Sequence, residues 1–167
     1  YYTNAPLFIN QDAANPGGII AGAGKDSTRI ICQGSNCSSV FSTAGLAYTV
    51  IQGISFSIEQ GPETSSVIDM RYVKNTPASV QNAISGAVVP ATQSNAFYDV
   101  HLSGGKYGVG IGFDSTNQCS ENLFIDTEVE LVNQGIAIGH SNALANIFHD
   151  VEIKNAVYGF GYFDPED

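Results

Sequence analysis

One segment recurs three times at nearly constant spacing, and that recurrence restricts the fold more than any other property of the chain. Asn95-Ala-Phe97-Tyr-Asp99-Val-His-Leu102 aligns with Asn122-Leu-Phe124-Ile-Asp126-Thr-Glu-Val129 and again with Asn146-Ile-Phe148-His-Asp150-Val-Glu-Ile153. The copies begin 27 and then 24 residues apart, and 13 residues after each Asn stands a glycine, Gly108, Gly135 or Gly159. Every copy holds two short runs rich in β-branched and aromatic residues, alternating with period 2 and separated by Gly, Asn and Ser, with no 3.6-residue period. So short a repeat cannot bury its apolar side alone, whereas stacked copies bury a continuous core. The expectation is an all-β, single-stranded, right-handed parallel β-helix of about five coils, one domain over residues 1–167.

Stacking assigns roles to the repeated columns. Phe97, Phe124 and Phe148 should form an inward aromatic ladder, and Val109, Ile136 and Phe160 a second inward column. Asn95, Asn122 and Asn146 are placed where the coil turns, because Asn tolerates left-handed backbone. Gly108, Gly135 and Gly159 are placed at the matching bend. The recurring Asp99, Asp126 and Asp150 read as turn residues bonded to their own backbone, since catalytic groups are normally unique within a repeat array. Upstream, Val50 to Phe56 matches Ala96 to Leu102, with Ser66 to Met70 as its second strand; Thr28 to Cys32 and Val40 to Thr43 form the coil before. An insertion at about residues 73–94 interrupts the period. Thr76-Pro77 there resembles a helix N-cap with an N1 proline and Gly86 a stop, which predicts a short helix over 77–85. Asn75 to Gln93 is either a functional excursion, as insertions in solenoids often are, or a loop that only crosses the surface.

Charge narrows the partners. Six Lys+Arg against 16 Asp+Glu give a net −10, and nucleic acid or an anionic membrane needs a clustered basic field. No apolar run approaches the ~18 residues of a membrane span, and the start carries no export signal, so the expected chain is soluble. Cys32 and Cys37 bracket a short Gln-Gly-Ser-Asn loop that an oxidising compartment would bridge; two reduced core thiols are the alternative. Cys119 reads as a small core residue.

The segment Asn15-Pro-Gly-Gly-Ile-Ile-Ala-Gly-Ala-Gly24-Lys-Asp-Ser-Thr28-Arg-Ile30 resembles the early coil of the pectate-lyase superfamily of right-handed β-helices, where Gly-x-Gly-x-x-x-Thr-x-Ile follows a strand such as Pro6-Leu-Phe-Ile9. The Asn-x-Phe-x-Asp and Gly-Ile-x-Ile rungs look like the same superfamily, which includes pectin and alginate lyases, polygalacturonases and phage tailspike depolymerases. The resemblance implies a polysaccharide partner and an extracellular, virion or cell-surface location. It specifies fold rather than chemistry, because its motifs are stacking and turn residues. Relatives carry an acidic, glycine-rich segment with a capping helix before this coil and further coils after the third repeat. Their absence implies a fragment, or a short form whose coil ends are covered by homo-oligomerisation.

Candidate chemistry follows from the outward columns. A glycosidase needs two carboxylates about 5–9.5 Å apart, and one column of neighbouring coils spaces side chains by about 4.8 Å. His101, Glu128 and Glu152 share such a column, with Ser103, Glu130 and Lys154 two residues on; the competing reading is a solvated outer face. Asp114, His140 and Asp164 fall near one another at second-strand ends, where His140 would act as a base raised by neighbouring charge or be a surface turn residue. Glu128, Glu152, His140 and Asp114 are thus the candidate catalytic groups. Tyr98, Tyr107 and Tyr158 either stack on sugar faces or pack at coil corners, and with His101 and Lys106 the first two complete the candidate substrate contacts. The adjacent Asp pair and Gly-His-Gly of the polygalacturonase branch are missing, with Ile138-Gly-His140-Ser as the nearest echo; basic candidates for a lyase are Arg71, Lys74, Lys106 and Lys154. No cofactor is demanded, and calcium is the cation that carboxylates such as Glu128 and Glu152 would bridge to an acidic glycan. Gly22-Ala-Gly24 lacks the Lys-Ser/Thr of a phosphate loop, and His101, His140 and His149 have no zinc-ligand spacing. Two functions remain open: a polysaccharide lyase, hydrolase or binding module, and a non-catalytic structural or adhesive segment of a fibre, tailspike or surface protein.

Overall fold

A computed structural model describes residues 1–8, 17–43, 46–70, 91–112, 118–139 and 143–162. These form strands β1 (Tyr2–Thr3), β2 (Leu7–Phe8), β3 (Gly18–Ala21), β4 (Arg29–Gln33), β5 (Ser39–Ser42), β6 (Thr49–Glu59), β7 (Ser66–Met70), β8 (Ala91–Gln93), β9 (Ala96–Ser103), β10 (Tyr107–Ile111), β11 (Gln118–Ser120), β12 (Leu123–Glu130), β13 (Gln134–Ile138), β14 (Ile147–Lys154) and β15 (Tyr158–Tyr162). All pair in parallel. The first sheet runs β1-β4-β6-β9-β12-β14 with β3 also on β6, the second β15-β13-β10-β7-β5-β2, and a third is the pair β11-β8. The molecule is a right-handed parallel β-solenoid of about four turns, with no helix among the described residues. The five rungs β4, β6, β9, β12 and β14 correspond to the five repeat-like segments, and four turns of chain connect the first of them to the last. The helix expected over 77–85, and the insertion around it, lie outside the described residues.

The register follows the repeat residue by residue. Phe97 pairs with Phe124 and Phe124 with Phe148, while Val50 to Phe56 pairs with Ala96 to Leu102 as the sequence alignment has it. The phenylalanine ladder is present: ring centroids lie 4.5 Å apart for Phe97–Phe124 and 5.2 Å for Phe124–Phe148, both stacked. Facing it, Phe41, Ile68, Val109, Ile136 and Phe160 form the inward column of the second sheet. Ile54, Phe56, Val100, Leu102 and Val129 fill the interior between them, each at most 2 % exposed. Cys32 and Cys37 are joined by a disulfide, and Cys119 is buried and free, its thiol pushed up to about 12 chiefly by loss of solvent.

Two repeated columns take different roles from those expected. The asparagines do not occupy the left-handed turn; the preceding residues do, Ser94, Glu121 and Ala145, with φ of 53°, 59° and 54°. The asparagine side chains turn inward instead and stack as an amide ladder. Asn95 Nδ2 donates to Asn122 Oδ1 and Asn122 Nδ2 to Asn146 Oδ1, each at 3.0 Å. Each Oδ1 also accepts the backbone N–H of the rung before, Asn95 N to Asn122 and Asn122 N to Asn146. A buried amide satisfied on both sides is stable where a lone one would be costly. Gly108 and Gly135 have ordinary φ, and close approach is what selects them: a Cβ on Gly135 would meet the Gly159 carbonyl at 2.7 Å, and one on Gly108 the Gly135 carbonyl at 2.6 Å. Asp99, Asp126 and Asp150 do hold the bend, with φ of 50°, 49° and 52°, in line with Gly53 at 64° in the rung below, but the carboxylates of Asp99 and Asp126 bond to Lys25 rather than to their own backbone. This column breaks the first sheet's rungs into two arms.

Candidate functional site

The bend at Asp99, Asp126 and Asp150 sets which side chains reach the outer face of the first sheet. Past it, Val100 and Thr127 face inward, and the next residues face out: Ser55, His101, Glu128 and Glu152 in one register column, Ser57, Ser103, Glu130 and Lys154 two residues on. The columns brought together by the repeat alignment therefore exist. Before the bend, Tyr98 lies in register with Gln52 and Ile125.

These side chains form one network of charge. Lys154 Nζ lies 3.0 Å from Glu128 Oε1 and 2.8 Å from Glu152 Oε2, one ammonium shared between two carboxylates. Its hydrogen bond to Glu128, aided by the charges of Lys154, His101 and Lys25, holds that carboxyl below the usual range against a smaller opposing effect of burial. The hydrogen bonds to Glu152 and Glu128 in turn raise the Lys154 ammonium. His101 is held at both ring nitrogens, Nδ1 at 3.1 Å from Ser55 Oγ and Nε2 at 3.1 Å from Glu130 Oε1. Beyond, Arg29 Nη2 donates to Ser57 Oγ at 3.1 Å, and Ser57 shares a 2.8 Å hydrogen bond with Ser103. On the other flank Lys25 reaches Asp126 at 3.1 Å and Asp99 at 3.5 Å. Burial pulls the Lys25 ammonium down, but its hydrogen bond to Asp126 and the two carboxylate charges outweigh it, and the net shift is upward.

No family model, curated protein or solved structure matches this chain.

The arrangement has a definite chemical character. Glu128 and Glu152 are neighbours at the rung spacing, close to the carboxylate separation of a retaining glycosidase, about 5–5.5 Å. A general acid of that chemistry must keep its proton near neutral pH, and a Glu128 held ionised by Lys154 is suited to accept hydrogen bonds instead. The face presents alternating fixed donors and acceptors on a rigid sheet.

The remaining expected residues are dispersed. Tyr107 is a correction: it is fully buried, in register between Ser66 and Gln134, and Lys106 Nζ closes over its ring at 5.3 Å. The first residue of the second strand points inward, so no ring is offered to a sugar there. Tyr158, its counterpart in the last rung, is 62 % exposed because no further described rung covers it. Lys106 lies at the corner between the sheets, in a depression of about 470 Å³ that Gln60, Glu63 and Asn133 also line. His140 and Asp114, with Asp164, lie outside the described residues. Lys25, Arg29 and Glu130 were absent from the expected site. Glu130 was visible as a column member, but Lys25 reaches the face from a segment about a hundred residues away from Asp126, with no spacing to announce it.

Proposed function

We propose that the outer face of the first sheet binds a polysaccharide, and that the protein is a pectate-lyase-like carbohydrate-active module acting outside the cell or on a virion or cell surface. The observation that carries this reading is the row of pre-paired polar groups running across three rungs: His101 with Glu130, and Glu128 and Glu152 with Lys154. Sugar hydroxyls both donate and accept, so they can insert into such pairs without leaving a charge unpartnered. Half-buried Tyr98, three residues before His101 on the same strand, adds an aromatic side chain near the row. The Cys32–Cys37 disulfide supports an oxidising compartment. A Glu128 held ionised by Lys154 is unsuited to a general-acid role but suited to accepting hydrogen bonds, and the proposal is one of binding that needs no cation between Glu128 and Glu152.

A second reading, a structural or adhesive solenoid segment, draws on the last rung. Ile147, Tyr158, Phe160 and Tyr162 are 56–80 % exposed there, and such a rung can receive another, its own or a partner's.

The test is affinity electrophoresis against a panel of neutral and acidic polysaccharides, with and without calcium, alongside reducing-sugar and unsaturated-uronate assays. Retardation by one polysaccharide, lost in Glu128→Gln and Glu152→Gln, is the expected result. No retardation and no turnover by folded protein, together with concentration-dependent self-association, would replace the polysaccharide reading with the structural one.

A further inference from the structure

We propose that His101, Glu128 and Glu130 form a binding site for a divalent transition-metal cation of the zinc class. One donor atom from each residue lies within 4.8 Å of the other two. His101 Nε2 and Glu130 Oε1 are 3.1 Å apart, and two ligands on metal bonds of about 2.0–2.2 Å, at angles between a right angle and tetrahedral, are separated by about 3.0–3.5 Å. That pair is already at the bite distance of a metal. Glu128 needs only a side-chain rotation to close the third position, since it stands beside His101 in register and two residues from Glu130 on the same face.

Three further features fit a cation. Ser55 Oγ holds His101 Nδ1 at 3.1 Å, which leaves Nε2 as the nitrogen turned toward the carboxylates; an outer partner on the second ring nitrogen is the usual way a protein orients a metal-binding histidine. The ligands come from the adjacent rungs β9 and β12, whose separation the parallel ladder fixes. All three point away from the core and are half-buried, so the remaining coordination positions open outward, as in zinc sites that exchange a ligand. An imidazole with two carboxylates selects a borderline cation such as zinc over calcium, which prefers six to eight oxygens.

Lys154 is the built-in competitor. It holds Glu128 at 3.0 Å but Glu152 at 2.8 Å, so it keeps a partner when Glu128 turns to the metal. The site has no sequence spacing of its own, because His101 comes from one rung and the two glutamates from the next. It shares His101, Glu128 and Glu130 with the polysaccharide face but does not depend on that reading, and the metal alone is its probe.

Isothermal titration of the full, chelator-treated chain with zinc chloride, with calcium chloride in parallel, tests it. One zinc per chain is expected, bound more tightly than calcium and weakened at least about tenfold in His101→Ala and Glu130→Gln. Lys154→Met should strengthen it, an effect that loss of fold cannot imitate. Glu130→Gln preserves shape, so it reports even where His101→Ala unfolds; circular dichroism checks both. Cobalt in place of zinc should give visible absorption bands that vanish in Glu130→Gln. Absence of zinc binding by the wild type, zinc binding unchanged in both ligand variants, or calcium bound at least as tightly as zinc would overturn the proposal. Unchanged binding would locate the metal elsewhere, for instance at His149 and Asp150.

Discussion

Replacing Asn122 by alanine should be among the most damaging single changes in this protein, although it removes only one small polar side chain. Asn122 is fully buried in the middle of the amide ladder. Its Oδ1 accepts from Asn95 N at 3.2 Å and Asn95 Nδ2 at 3.0 Å, and its Nδ2 donates to Asn146 Oδ1 at 3.0 Å and to the Thr92 carbonyl at 3.3 Å. Alanine removes all four. Asn95 Nδ2 keeps the Leu46 carbonyl and Asn146 Oδ1 keeps the Asn122 backbone N–H, but the Asn95 backbone N–H loses its acceptor inside the core. With about 1 kcal/mol for each of the bonds lost and 1–3 kcal/mol for an unsatisfied buried donor, allowing for partial relaxation, the cost is about 3–5 kcal/mol. At roughly 2–4 °C per kcal/mol for a chain of this size, the melting temperature should fall by roughly 6–20 °C. Urea unfolding is the assay, followed by far-UV circular dichroism and by tyrosine fluorescence, since the chain has no tryptophan. Coincident traces justify a single free energy, and Gln52→Ala on the exposed face is the control. A loss below about 1 kcal/mol, the size of one ordinary hydrogen bond, or one equal to the control, would refute the ladder as a source of stability.

Other outcomes follow from the same geometry. Gly135→Ala should cost about 1–3 kcal/mol by overpacking, because its Cβ meets the Gly159 carbonyl and Ile153, whereas Gly18→Ala, with nothing within 4 Å, should be nearly neutral in the same unfolding assay. At Asp150, which is left-handed and exposed, glycine should be neutral or stabilising and valine should cost about 1–2 kcal/mol; equal stabilities would contradict the assigned backbone. Glu128 has a depressed folded pKa, so its ion pair stabilises above the unfolded value and is lost as pH falls through the folded one, below 4.5. Lys154→Met should move the Glu128 titration up toward 4.5, read from its side-chain carboxyl NMR shift, and an unmoved titration would exclude Lys154 as the cause.

What the sequence revealed, and what it hid, divides at the bend. Phe97, Phe124 and Phe148 were legible because identical apolar residues at matching offsets can only stack, and stacking fixes their partners. His101, Glu128 and Glu152 were legible as a column for the same reason. Alternation alone, however, fails to carry parity across a left-handed residue. Phe97 and Val100 both face inward with Asp99 between them at φ 50°, an odd interval that no period-2 pattern allows. The inward turn of Asn95 and of Tyr107 agrees with alternation, each standing two residues before an inward residue, Phe97 or Val109, but both stand at a corner, where Asn and Tyr also serve as turn residues. Asn is also a good turn former, so a buried stacking role left no compositional trace apart from the repeat itself. Lys25 was beyond any local reading because it approaches the face from a different part of the chain.

The amide ladder separates the length of a turn from its alignment. Successive positions on it are Thr49, Asn95, Asn122 and Asn146, reached after 46, 27 and 24 residues, and yet each Asn Oδ1 receives the backbone N–H of the position before. A connecting segment can therefore lengthen or shorten by tens of residues while every rung above and below stays in step, since a slipped rung would leave its amide without a neighbour. The connections become places where sequence can be inserted, deleted or exchanged at little structural consequence. A scaffold with that property lets new surface chemistry be tried one loop at a time.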